Sequence, residues 1–335
     1  MKFLLILFLL FSLPMNNKRS GEVSARSYVV MEQSSGEVLE GKDIYLTRSV
    51  ASISKIMTAI IALESYKLYD IVTIGDEIDS AVGSAIYLQK GTKITIIDLV
   101  YGLLLRSGND AALSIAYHIG NKSIDNFVNI MNQKAVELKM KNTVFNNPHG
   151  LDIDDDGNIS CAYDMAILTR YCSNNELFKV ISGTKNYRII NIGVWQNKNK
   201  LLHRYEYCTG GKTGFTSKAR RTLVTTASKD NLDLIVVTLD CGNDFNSHQS
   251  LYERYFNNYI FYVFVDKGVN IVDEYKFYAS SKYGTLINKE ETKDLLILYC
   301  LDVERLLLTF KVCYKGGRID EFGPYSIDKY ERVNI

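Results

Sequence analysis

Three segments that carry serine and lysine occur in order along this 335-residue chain, and together they could perform one reaction. The first is Ser52-Ile53-Ser54-Lys55, at the head of an apolar pattern with helical spacing: Ile56, Met57, Ile60, Ile61 and Leu63. Residues i and i+3 share a helix face, so this hydroxyl and amine can meet. A helix N-terminus also places a positive dipole end beside the serine. The Ser-x-x-Lys pattern alone is weak, because it recurs at Ser182/Lys185 and Ser326/Lys329. A capping serine and a snorkelling lysine would account for it equally well. Only the first copy opens a strong helical pattern, and there an ammonium is costly. An unshifted lysine, pKa about 10.4, needs roughly 4–5 kcal/mol to be neutral near pH 7. Burial and a second cation can supply this, since a like charge ~4 Å away is worth about 4 kcal/mol at an effective dielectric of ~20. That geometry of hydroxyl and amine suits an activated nucleophile.

The second segment, Ser107-Gly108-Asn109, interrupts the otherwise apolar helical stretch "ITIIDLVYGLLLRSGNDAALSIAYHIG". Such a break costs helix stability unless something there is needed. The third, Lys212-Thr213-Gly214, lies in "TGGKTGFTSKARRTLV", with glycines before it and a β-rich run after it. "GGKTG" invites a phosphate-loop reading, but that pattern requires glycine where Glu206 stands, so a nucleotide site is not expected.

Elements must hold these segments together. "SYVVMEQSSGEVLEGKD" alternates and turns at Ser34-Ser35-Gly36, as a β-hairpin does. "SIDNFVNIMNQKAVELKM" reads as an amphipathic helix, "TLVTTASKD" and "LDLIVVTLDC" as strands, and "SHQSLYERYFNNYIFYVF" as helix again. Strands at both ends with helices between predict an α/β fold of the α+β type, an antiparallel sheet flanked by helices. From about Asp266 short β-rich segments take over, which predicts a small all-β C-terminal domain over residues 265–335. Hydrophobic residues make up 47% of the chain and charged ones 23%, an ordinary globular composition. The formal net charge of +1 gives no electrostatic case for nucleic acid as a partner. None of the six cysteines forms Cys-x-x-Cys; disulfides are permitted, but free buried thiols are the simpler expectation in a chain of this size.

The N-terminus reads as an export signal over residues 1–25. Lys2 is followed by a run of about 11 largely apolar residues, short of the ~20 that span a bilayer, and small residues surround Ala25. A retained N-terminal anchor is the alternative, and membrane contact is expected only in that case.

Ser-x-x-Lys, Ser-x-Asn and Lys-Thr-Gly in this order are the triplet of penicillin-binding proteins and serine β-lactamases. The chain resembles the low-molecular-mass penicillin-binding proteins that act as serine-type D-alanyl-D-alanine carboxypeptidases. "ASISKIMTA", "LVYGLLLRSGNDAA", "FNNPHGLD", "AYDMA" and "GGKTGFTSKA" carry the resemblance, which runs from about Tyr28 to Gly323. It implies a β-lactamase-like peptidase domain over residues 26–264 and no metal or cofactor. It implies a peptidoglycan stem peptide ending in D-Ala-D-Ala as substrate and β-lactams as covalent inhibitors. Ser52 would be the nucleophile, Lys55 its base and Ser107 a proton relay. Asn109 would hold the substrate amide, and Lys212 and Thr213 would face its terminal carboxylate. The backbone amides of Ser52 and Phe215 would form the oxyanion hole, and Gly214 would let substrate lie close to the strand.

Some features depart from the family. Asn158 and Cys161 stand near positions where it commonly has histidine and threonine, and Arg220-Arg221 where it often has a glycine. Asp152, Asp154, Asp156 and Gly157 match half of a calcium loop, but Tyr163 stands where the bidentate glutamate belongs, so a solvated acidic turn is expected. The C-terminus, "GPYSIDKYERVNI", has too few apolar residues for an amphipathic anchor. His248, in "NDFNSH", resembles a histidine that some members carry in an Asn-Asp-Trp-Asn-Asp-His segment, and is expected near Lys212 and Thr213 as a carboxylate ligand. A β-lactamase is a second reading, although no Glu-x-x-Leu-Asn segment follows Ser-x-Asn. A catalytically inactive wall-binding module is a third.

Overall fold

A computed structural model describes residues 23–152, 157–189, 193–272, 275–302 and 304–332. The apolar run read as an export signal, and Asp154 and Asp156 of the acidic turn, lie outside the described residues.

The hairpin forms where the alternation places it. Strand β1 (Ser27–Glu32) returns as β2 (Val38–Lys42), with Gly36 at φ 79° in the turn. Three later strands, β3 (Cys208–Thr216), β4 (Arg220–Lys229) and β5 (Leu232–Leu239), complete a five-stranded sheet in the order β2-β1-β5-β4-β3. Each pairing is antiparallel, and β1 lies against β5 with Val29 opposite Val237. Strands from the two ends of residues 26–264 therefore close one sheet, and β3 forms one of its edges.

Both faces of the sheet are covered. Val29, Met31, Val224, Ile235, Val237 and Leu239 point into a large core shared with the helices. At its centre is α1 (Lys55–Glu64), buried from Lys55 to Leu63. Val30, Ala227, Leu234 and Val236 point the other way, onto Leu251, Tyr252, Tyr255 and Phe256. Those four belong to a C-terminal helix, Asp244–Asn258. The strand period of two thus assigns each side chain of β3 and β4 to one layer or the other.

The run "SHQSLYERYFNNYIFYVF" is helical only in its first part. At Tyr259 it becomes a strand, Tyr259–Val265, where aromatic and β-branched residues succeed one another and favour extended backbone. This strand crosses the boundary expected at residue 265. Phe261 joins the core of the helix Asp244–Asn258, and Val265 joins a second core with Phe277, Leu308, Phe310 and Ile327. Strands and turns follow, with a single 3-10 segment at Lys289–Asp294. All six cysteines are free thiols. Among the described residues, no helix is long and apolar enough to cross a membrane.

Candidate active site

Ser52 sits in a 3-10 turn, Ala51–Ser54, that leads into α1. Ala51 adopts φ 51°, a conformation rare for a residue with a side chain, and is fully buried. The approach to this turn is tied to the sheet, because the Thr222 hydroxyl of β4 donates to the Val50 carbonyl at 3.0 Å. Lys55, completely buried, donates from Nζ to Ser52 Oγ at 3.0 Å, to Asn109 Oδ1 at 2.7 Å and to the His149 carbonyl.

The second segment is a true break. A helix, Ile96–Tyr101, widens into a π turn, Gly102–Arg106, and ends at Ser107 in the left-handed region, φ 63° and ψ 35°. For a serine that conformation costs roughly 1–2 kcal/mol. The next helix, α2 (Asn109–Ile119), starts immediately after it. Neighbouring groups fix the turn. The Asn109 amide Nδ2 donates to the Val82 carbonyl at 2.6 Å, while the buried Asp110 carboxylate accepts the Ile86 and Leu88 N–H groups, both at 3.0 Å.

On β3, Lys212 lies opposite Val224 and so faces the helical layer. Its Nζ donates to Ser107 Oγ at 2.9 Å and to the Thr213 carbonyl at 2.7 Å. The fold therefore gathers the five residues as two adjacent hydrogen-bonded sets, Lys55 with Ser52 and Asn109, and Lys212 with Ser107. Gly214 closes against the first, since a Cβ there would sit 3.0 Å from Ser52 N. Phe215 follows on the edge strand with its side chain largely exposed.

Burial and mutual repulsion set the protonation. Burial, then Lys212 and Lys198, hold the Lys55 amine well below its usual range. Burial, then Lys198, pushes Lys212 down to about 7. Lys198 is a third cation that the sequence reading missed, and it donates to Ser84 Oγ at 3.0 Å. It stands alone among loop residues and carries no motif. The reading also missed His149, which acts through its backbone carbonyl, an atom that no side-chain pattern reveals.

His248 joins neither set. Thr225 lies opposite Gly211, one residue out of phase with Lys212, so its side chain projects from the other face of the sheet. His248 is fully buried there, with Nδ1 2.6 Å from Thr225 Oγ1 and Nε2 2.9 Å from Thr238 Oγ1. Burial pushes its pKa down to about 3. It is a neutral packing residue, both of whose ring nitrogens are occupied, and cannot offer a charge to a carboxylate. Arg254, the next cation along the same helix, is also committed, because it clamps Glu40 of β2 at 2.6 and 2.8 Å.

The departures from the family pattern have local explanations. Asp152 accepts from the hydroxyls of Ser49 and Thr216, so it ties the nucleophile strand to β3. Among the described residues no group of three His, Cys, Asp or Glu side chains could hold a metal ion. Asn158, buried, accepts the Asn146 and Asn147 N–H groups at 2.8 and 3.0 Å and holds the His149 loop in shape. Cys161 caps the helix Ala162–Cys172, with its sulfur accepting Asp164 N–H at 3.4 Å. Arg221 forms an ion pair with Asp244 at 2.7 Å.

Comparisons with known proteins identify the family. The family described as D-alanyl-D-alanine carboxypeptidase matches residues 14–243. The chain is 36% identical over 233 residues to D-alanyl-D-alanine carboxypeptidase DacF of Bacillus subtilis, a match covering 66% of this chain and 59% of that protein's length. It is 32% identical over 288 residues to D-alanyl-D-alanine carboxypeptidase DacA of Haemophilus influenzae, covering 80% and 71%. The crystal structure of penicillin binding protein 5 from Haemophilus influenzae superposes with a TM-score of 0.77 at 25% identity, covering 95% of this chain and 99% of that one. The chain belongs to the D-alanyl-D-alanine carboxypeptidase family of serine peptidases.

Proposed function

We propose that the protein is exported and removes the terminal D-alanine from peptidoglycan stem peptides through an acyl-enzyme on Ser52. The observation that carries this reading is the set of partners around the Lys55 amine. Two of the three, the Asn109 amide oxygen and the His149 carbonyl, can only accept hydrogen bonds. A neutral amine gives its two N–H bonds to them and has one lone pair left. As an ammonium Nζ donates to Ser52 Oγ at 3.0 Å; once neutral it can turn that lone pair to the same oxygen, which alone of the three partners has a proton to give.

Ser52 Oγ attacks the carbonyl between the two D-alanines while its proton passes to Lys55. The oxyanion is met by the backbone N–H groups of Ser52 and Phe215, and Asn109 holds the substrate amide. The leaving amine takes a proton through Ser107, which Lys212 bonds. Water then hydrolyses the ester and regenerates the serine. Gly214 leaves room for the peptide along the edge of β3, and Thr213 lies beside its carboxyl end. β-Lactams acylate the same serine, because their strained amide takes the place of the D-Ala-D-Ala bond.

A labelled penicillin should bind covalently to the native protein and leave Ser52→Ala unlabelled. Full labelling of that variant would refute the assignment. Measuring D-alanine release from a tripeptide ending in D-Ala-D-Ala distinguishes this activity from a β-lactamase or an inactive wall-binding module.

A further inference from the structure

With His248 and Arg254 committed elsewhere, the carboxylate that makes this enzyme an exopeptidase needs another cation. We propose that Arg221, on β4, binds the terminal carboxylate of the substrate together with Thr213, and that Asp244 and Phe245 hold its guanidinium in place. This rests on the carboxypeptidase reading above and deepens it.

The strand register carries the argument. Lys212 and Gly214 turn toward Ser52, so Thr213 and Phe215 project from the opposite face of the edge strand. Arg221 lies directly across from Phe215, and Leu223 across from Thr213. Arg221 and Thr213 are therefore diagonal neighbours on one face, about 7–8 Å apart at the backbone, which a long side chain can span. The Lys212 ammonium points elsewhere, toward Ser107 and the Thr213 carbonyl.

The guanidinium is fixed without being used up. Its Nη2 and Nε donate to the buried Asp244 carboxylate at 2.7 and 3.2 Å. Phe245 lies under it at 5.5 Å, with Arg204 against the same ring at 5.4 Å. The backbone carbonyl of Arg221 accepts Cys241 N–H at 3.0 Å, which ties the strand to the loop before Asp244. Those bonds use two of the five N–H donors. Nη1 has no hydrogen-bond partner among the described residues, and the side chain is 43% exposed. A planar cation clamped on one edge and open on the other suits a carboxylate.

The test compares two thiolester acyl donors, one whose leaving group carries a free carboxylate and one with that carboxylate as its methyl ester. Arg221→Gln should lower kcat/KM on the first by about 10- to 150-fold, chiefly through KM, and change the second by less than about threefold. Removing the arginine also strands Asp244, so the double variant Arg221→Gln/Asp244→Asn is measured beside it and should show the same selective loss. Equal losses on both donors, or a loss that vanishes in the double variant, would mean that Arg221 only neutralises Asp244, and would overturn the inference. A native enzyme that acylates readily but does not distinguish the donors overturns it too and leaves Ser52 chemistry standing. A native enzyme acylated by neither donor refutes the parent reading and this inference with it.

Discussion

Replacing Gly214 with alanine tests how tightly the edge strand bounds the nucleophile. An added Cβ would lie 2.3 Å from Thr222 Oγ1, 3.0 Å from Ser52 N and 3.1 Å from Ile53 N. Ordinary contact begins near 3.4 Å, so the Thr222 encounter is short by about 1.1 Å (3.4 minus 2.3). Two escapes exist. Thr222 can turn about χ1, which breaks its bond to the Val50 carbonyl and loosens the approach to Ser52. Otherwise β3 moves outward by about 1 Å, taking Lys212 from Ser107 and the Phe215 N–H from the place proposed for the oxyanion. Overpacking of this kind costs about 1–3 kcal/mol of stability. Its effect on chemistry is larger, because a misplacement of about 1 Å or a lost oxyanion donor each reduces rates by about 100-fold or more. The expected result is acylation by a fluorescent penicillin slowed by roughly 100- to 1,000-fold, with the melting temperature lowered by only several degrees. Acylation within about threefold of native would refute the reasoning, because the Ser52 N–H and the strand edge could not then form one binding slot.

Lys198→Met removes a cation that depresses both catalytic lysines. The base must be neutral, so acylation fails as pH falls through the Lys55 pKa; raising that pKa should move the acid limb of the rate profile to higher pH. A limb that stays in place or moves down contradicts this. His248→Ala takes the His248 partner from Thr238, leaves Thr225 with the Tyr252 hydroxyl alone and opens a cavity, so it should cost about 2–4 kcal/mol of stability. Its kcat/KM ratio between carboxylate and ester donors should match that of the native enzyme, and a selective loss on the carboxylate would restore His248 as a ligand. Cys161→Ser exchanges a weak sulfur cap for a hydroxyl and should raise stability by about 0.5–1 kcal/mol with unchanged acylation, measured by thermal melting beside the penicillin assay.

What the sequence disclosed, and what it hid, follows from the range of each signal. Ser52 and Lys55 are three residues apart, so their meeting is a local matter even though one lies in a 3-10 turn and the other opens α1. The break at Ser107 is equally local, because a left-handed serine leaves a visible gap in an apolar helix. The face on which His248 falls is not local. It depends on Thr225 being odd in phase with Lys212 in a register between two strands, and a one-residue change of phase reverses every such assignment. His149 and Lys198 come from loops that only the closed fold brings to Lys55. The strand Tyr259–Val265 was hidden in a helical pattern, since a short aromatic run satisfies either period until its neighbours are known.

The crowding of amines at the nucleophile also bears on how the fold responds to pH. Lys212 releases its proton near pH 7 in the folded protein and near 10.5 once unfolded, and Lys55 is depressed in the same direction. Above about pH 10.5 both states carry neutral amines, and these groups exact no penalty. As the pH falls toward 7, the unfolded chain gains protons that the native state refuses, so unfolding becomes progressively easier. Below pH 7 the Lys212 contribution levels off at its full penalty. Near neutrality the buried lysines of the proposed site therefore destabilise the fold, and methionine in place of Lys212 should melt at a higher temperature there while losing activity. Apolar burial offsets this penalty, in the large core around α1 and on the sheet face covered by Leu251, Tyr252 and Phe256.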